Sequence, residues 1–142
     1  MRRQEHSVGP DIDASLSQAQ NVLEQDSRVI FAYLFGSFGR RKPTPLSDVD
    51  IAVYLERKTN VSAAKLDLIG GLTRALGSDE VDLVVLNEAP LSLAGRIQLS
   101  HRVLVDKDRG RRLSYESLTR RQFADFAIRE RAILSRRFGL DR

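Results

Sequence analysis

The sequence contains no cysteine. That excludes a disulfide framework, a thiolate nucleophile and a thiolate metal site. With only two histidines as well, a zinc site is not expected. No apolar run approaches the roughly 18 residues of a membrane span, so no membrane association is expected. Met1-Arg2-Arg3-Gln4-Glu5-His6 is basic but lacks an apolar segment of the kind a secretory signal requires. A cytoplasmic protein is the expectation. Internal repeats and low-complexity linkers are also missing. What remains is ordinary soluble composition over 142 residues, read as one domain spanning 1–142 with a core of its own. The net charge is +4, with arginine far outnumbering lysine. Such a balance suits a polyanion: a nucleoside triphosphate, RNA or an acidic protein face. A merely solvated basic surface accounts for it equally well.

Residues 1–9 read as a frayed tail. Pro10-Asp11 can open a helix, and Ile12, Leu16, Ala19, Val22 and Leu23 recur at helical spacing to about Gln25. Val29 to Phe35 is short, β-branched and aromatic, and bounded by Asp26-Ser27 and Gly36, as a buried strand would be. Ser37 can cap a helical turn through Arg41, stopped by Pro43 and Pro45. Asp48 to Leu55 reads as the second strand. Asn60 or Ser62 caps a helix that ends at Gly77. Gly70-Gly71 inside it costs about 1 kcal/mol per residue relative to alanine, which a close helix–sheet approach would explain. Glu80 to Leu86 is a third strand, and Pro90 opens a short helix to about Leu99. Arg102 to Val105 is a fourth strand. A long helix covers 111–138, with Gly139 able to end it. The order predicts an α/β chain with a small mixed sheet of about four strands flanked by helices.

The informative stretch runs from Phe35 to Asp50. Side chains in a strand alternate faces, so Asp48 and Asp50 point the same way. Two carboxylates on one face repel and are costly to desolvate without a cation. Magnesium prefers carboxylate and phosphate oxygens. Asp82 is the only acid inside the third apolar run. If that strand lies beside the second, three carboxylates converge, the minimum set for two-metal phosphoryl or nucleotidyl transfer. Gly36 lets backbone approach a phosphate closely. Ser37 offers a hydroxyl and an N–H at a helix start, where anions are favoured. Arg40, Arg41 and Lys42 follow, close enough to face a triphosphate. Taken separately, Leu46-Ser47-Asp48 is an ordinary turn and Gly36-Ser37 another. The spacing and strand context together point to catalysis.

Gly36-Ser37, ten residues, then Asp48-Val49-Asp50, with Asp82 on a later strand, resembles the signature of the DNA polymerase beta-like nucleotidyltransferase superfamily. Leu34-Phe35-Gly36-Ser37-Phe38-Gly39-Arg40, Ser47-Asp48-Val49-Asp50-Ile51-Ala52-Val53 and Val81-Asp82-Leu83-Val84-Val85-Leu86-Asn87 look most like the minimal nucleotidyltransferase, or MNT-type, antitoxins. The resemblance covers about residues 11 to 137. It implies a nucleotidyltransferase fold that binds ATP with Mg2+ and transfers AMP with release of pyrophosphate. It also implies a partner, a HEPN-domain ribonuclease toxin silenced by AMP added to a tyrosine. Carried over, Gly36 and Ser37 would bind the triphosphate; the basic residues Arg40 and Arg41, whose charge suits the same group, lie just downstream. Asp48, Asp50 and Asp82 would hold the metals, and Asp82 would help deprotonate the acceptor. Direct nucleic-acid binding is not expected. Two alternatives stay open: a small-molecule nucleotidyltransferase of the aminoglycoside type, and an antitoxin acting by contact alone.

The chain departs from the pattern at Ser100-His101-Arg102, where a glycine turn would be expected. His101 is read there as a turn residue, with contact to substrate or partner as the alternative. Tyr33 is assigned to the core. Tyr54 shares the face of Asp50, which leaves its ring a possible place beside the nucleotide. Tyr115 and Glu116 open the last helix and can serve either the fold or a partner. The arginines of that helix read as a solvated face, with a partner-binding or RNA-facing role as the alternative.

Overall fold

In the computed structural model of the chain, residues 10–36 and 49–138 are described. The expected tail over 1–9, the helical turn from Ser37 to Arg41 and the stop at Gly139 lie outside them. Helix α1 (Pro10–Gln25) leads into strand β1 (Val29–Phe35), and β2 (Val49–Leu55) follows. Then come α2 (Val61–Leu76), β3 (Val81–Val85), a 3-10 turn (Leu86–Glu88) and α3 (Leu91–Leu99). Strand β4 (His101–Asp106) and the long helix α4 (Arg109–Phe138) complete the order. The sheet has four strands in the order β3-β2-β1-β4. β1 runs antiparallel to both β2 and β4, while β2 and β3 are parallel. The mixed sheet expected from the sequence is the one formed.

Period-two alternation divides the core between the two faces of the sheet. On one face Leu34, Ile51, Val53, Leu55, Leu83 and Val85 meet α1 and α2. Leu23 of α1 and Leu68 and Leu72 of α2 are all but fully buried there, each contributing about 2 kcal/mol. Phe31, Tyr33 and Ala52 occupy the other face with Leu86 and Ile97, and Tyr115 of α4 packs against them. Asn60 caps α2 as expected, its Oδ1 accepting from the Ala63 N–H at 3.0 Å. Gly77 ends the helix at φ +66°, donating its N–H to the Thr73 carbonyl at 2.9 Å. Asn87 holds both backbone groups of Leu55, donating to its carbonyl at 2.9 Å and accepting from its N–H at 2.8 Å. That pair of bonds pins the segment after β3 to the end of β2, and with it the parallel register.

The glycine pair in α2 has a different cause from the one expected. Gly71 faces α1, not the sheet: a Cβ there would stand 3.0 Å from Val22 Cγ1. Gly70 would meet only the flexible tip of Arg74, at 3.7 Å. Gly70→Ala is therefore expected to raise stability by up to about 1 kcal/mol. Gly71→Leu is expected to lower it by about 2 kcal/mol by forcing α1 and α2 apart. Urea denaturation of the two variants checks the opposite signs.

Candidate active site

The end of the sheet where β2 and β3 begin carries a row of four residues in register. Asp82 pairs with Asp50 across the parallel strands. Asp50 pairs with Phe35 of β1, and Phe35 with His101 of β4. Directly paired residues share a face, and neighbouring strands lie about 4.8 Å apart. Two carboxylates therefore stand side by side on adjacent strands. Asp50 is half-buried, whereas Asp82, on the edge strand β3, is exposed.

Gly36 closes this end of β1 in the left-handed region, at φ +71°. A Cβ at that position would collide with the Asp50 carboxylate, overlapping Oδ2 and standing 3.1 Å from Cγ. The Asp50 side chain thus lies in a space that exists only because residue 36 is glycine. Backbone conformation and side-chain space both demand it.

Behind the row lies a buried polar network that the sequence did not announce. Glu116, on the buried face of α4, accepts from the Tyr33 hydroxyl at 2.7 Å and from Arg112 Nη1 at 3.0 Å. Arg112 also donates through Nε to Asp106 at 2.8 Å. Burial, reinforced by the Glu116 charge, pushes the Tyr33 phenol far above its usual range. His101 belongs here and not in a turn. It is the first residue of β4, its Nδ1 lies 3.0 Å from the Ile97 carbonyl, and its Nε2 lies 3.8 Å from Glu116. The apolar run Val103-Leu104-Val105 directly after it was the available signal, overridden by the glycine expected at that place. Glu116→Ala is expected to cost about 2 kcal/mol, because it leaves the buried Tyr33 hydroxyl without its acceptor and Arg112 with Asp106 alone. Glu116→Gln, still able to accept from Tyr33, is expected to cost less in the same urea titration.

Tyr54 is also corrected. It stacks on Phe31 with ring centres 4.8 Å apart and meets Tyr115 at 5.3 Å. Four residues along a strand are about 13 Å, so its ring sits under α4 and not beside the carboxylates. Tyr115 consequently serves the core, as does Tyr33.

Of the candidate site residues, Gly36, Asp50 and Asp82 are brought together. Ser37, Arg40, Arg41 and Asp48 lie outside the described residues, as does Lys42. The carboxylate pair is a donor set that suits a hard divalent cation, and the Gly36 cradle fixes the position of one member. Among the described residues no three acidic or imidazole groups gather at one point. The expected three-carboxylate set needs Asp48. No helix among the described residues is long and apolar enough to cross a membrane.

The comparisons with known proteins agree with this geometry. Comparison with curated protein sequences returned no match. Among solved structures, a chain of a toxin–antitoxin with AMP-PNP is 25% identical, with a TM-score of 0.68 over 84% of this chain and 95% of that one. A mutant of the toxin–antitoxin MntA-HpeT is 28% identical, with a TM-score of 0.64 over 81% of this chain and 90% of that one. A complex of tri-AMPylated Shewanella oneidensis HEPN toxin with MNT antitoxin shares the fold, at 23% identity and a TM-score of 0.66 over 87% and 95% of the two chains. The family profile described as polymerase beta, nucleotidyltransferase, matches residues 17–110, from the middle of α1 to the start of α4, and includes the whole carboxylate row. With its paired aspartates, its glycine cradle and that match over most of its length, the chain belongs to the polymerase beta nucleotidyltransferase family.

Proposed function

We propose that this protein is the antitoxin of a HEPN/MNT pair, and that it transfers AMP from ATP to a tyrosine of the partner ribonuclease toxin. The observation that carries the reading is the register pairing of Asp50 with Asp82 beside Gly36. The structural likeness to toxin–antitoxin complexes, one of them holding AMP-PNP, supports the choice of nucleotide and of a toxin as partner.

In this reading Asp48, Asp50 and Asp82 hold Mg2+, and Gly36, Ser37, Arg40 and Arg41 bind the triphosphate. The bound cation would offset the charge that develops on the phosphate oxygens. Gly36 keeps Asp50 seated while the triphosphate is bound. Asp82 is exposed at the sheet edge, where an incoming protein can reach it. There it accepts the phenol proton, which a tyrosine of ordinary pKa about 10 does not release at neutral pH unaided. The phenol oxygen forms its bond to the α-phosphorus, the bond to the bridging oxygen breaks, and pyrophosphate leaves.

The test mixes the protein, labelled ATP, Mg2+ and the HEPN-domain toxin. Label on the toxin, lost with Asp48→Ala plus Asp50→Ala, is the expected result. Neutralisation that survives both substitutions without label would favour an antitoxin that acts by contact alone. Label appearing on an aminoglycoside instead of the toxin would favour the small-molecule enzyme.

A further inference from the structure

Helix α4 is longer than the body it packs on. Its 30 residues extend about 45 Å, whereas the longest strands, at 7 residues, extend about 23 Å. The first half is anchored through Tyr115, Glu116 and Thr119. Phe123 is the last firm contact: it fills the space over Gly95 of α3, where a Cβ would come within 2.7 Å of Phe123 Cβ. Beyond Phe126, every residue from 127 to 134 is exposed. Ile133 is 48% exposed and Leu134 44% exposed. Phe126 and Ile133 are seven residues apart, as are Ala127 and Leu134, so the apolar positions line one stripe of the projecting segment. Arg129, Arg131 and Arg136 flank it on the projecting segment, Arg120 and Arg121 precede that segment, and Glu130 falls within the stripe between Phe126 and Leu134. Among the described residues none of those five arginines has an ion-pair partner, while Arg28, Arg111 and Arg112 all do. The family match ends at residue 110, so this segment lies outside the part it accounts for.

We propose that the projecting half of α4, from Phe123 to Arg136, is the surface that docks the protein acceptor, and that it takes an acidic helix with an apolar stripe of its own. The inference rests on the toxin being the acceptor. An amphipathic helix presenting positions seven apart is suited to a partner helix or groove. Unpaired arginines at the rim select negative charge and raise the rate of encounter. A second copy of this chain fits less well, because it would align two sets of three arginines along one seam.

The test uses the full chain with the purified HEPN-domain toxin. Two variants are compared with wild type: Arg129→Glu, Arg131→Glu and Arg136→Glu together, and Leu134→Glu alone. All four sites are exposed, so the melting temperature is expected to hold. Each variant is expected to raise the Kd for the toxin, and the KM for it in AMP transfer, by about tenfold or more with kcat unchanged. Unchanged Kd and KM in both variants would overturn the docking surface and leave AMP transfer standing. Loss of transfer in Asp50→Asn with toxin binding intact separates the two claims from the other side. If wild type sediments as a dimer that the variants dissociate, the occupant is a second copy and the proposal fails.

Discussion

Asp50→Asn is expected to lower AMP transfer by about a thousandfold while the protein still binds its toxin. The substitution keeps the shape of the side chain and removes its charge. Asp50 is the member of the pair that is half-buried and held in place, with Gly36 on one side and Asp82 in register on the other. A ligand fixed in this way carries more of the metal affinity than one free to adjust. Asp82→Asn is expected to act less on nucleotide binding and more on kcat, since in the proposed mechanism this exposed carboxylate meets the acceptor. Nucleotide titration and single-turnover label transfer, run on both variants, separate these effects. Equal loss of ATP affinity in the two would remove the distinction drawn between them.

Gly36→Ala is expected to lower transfer about a hundredfold by displacing Asp50. It should also cost about 2 kcal/mol of stability, because the left-handed backbone and the crowded carboxylate both oppose a methyl group. The two causes can be told apart with a double-mutant cycle. In an Asp50→Ala background the added methyl no longer meets a carboxylate. The stability cost of Gly36→Ala should then shrink to the backbone component alone. An unchanged cost in that background would place the whole penalty in the backbone and remove the cradle from the account.

Much of this site was legible before any coordinates. Period-two alternation put Asp50 on a face opposite Ile51 and Val53, and Asp82 was the only acid within its strand. Their registration was not legible, because it depends on which strands neighbour each other and on Asn87 clasping the end of β2. Alternation also misled. It gave Tyr54 the correct face but said nothing of distance along the strand, and the ring joined Phe31 and Tyr115 instead. His101 was obscured by the expectation of glycine, although its place in β4 makes it the fourth member of the row. For Glu116 the sequence left a choice between the fold and a partner. Arg112 is its i,i+4 neighbour on the same helix, but the burial of Glu116 also depends on Tyr33 arriving from β1, which no local pattern reveals. Gly36 stood out as a phosphate-approach residue, and the structure adds a reason the sequence could not supply: the carboxylate it accommodates.

The central claim is that these carboxylates serve a covalent transfer to another protein. Intact-mass spectrometry of the HEPN-domain toxin, after incubation with this protein, ATP and Mg2+, tests it most directly. The toxin should gain mass in whole AMP units, mapped to a tyrosine, with wild type but not with Asp50→Asn, and its ribonuclease activity should fall in step. A toxin that is silenced while its mass stays unchanged would contradict the account.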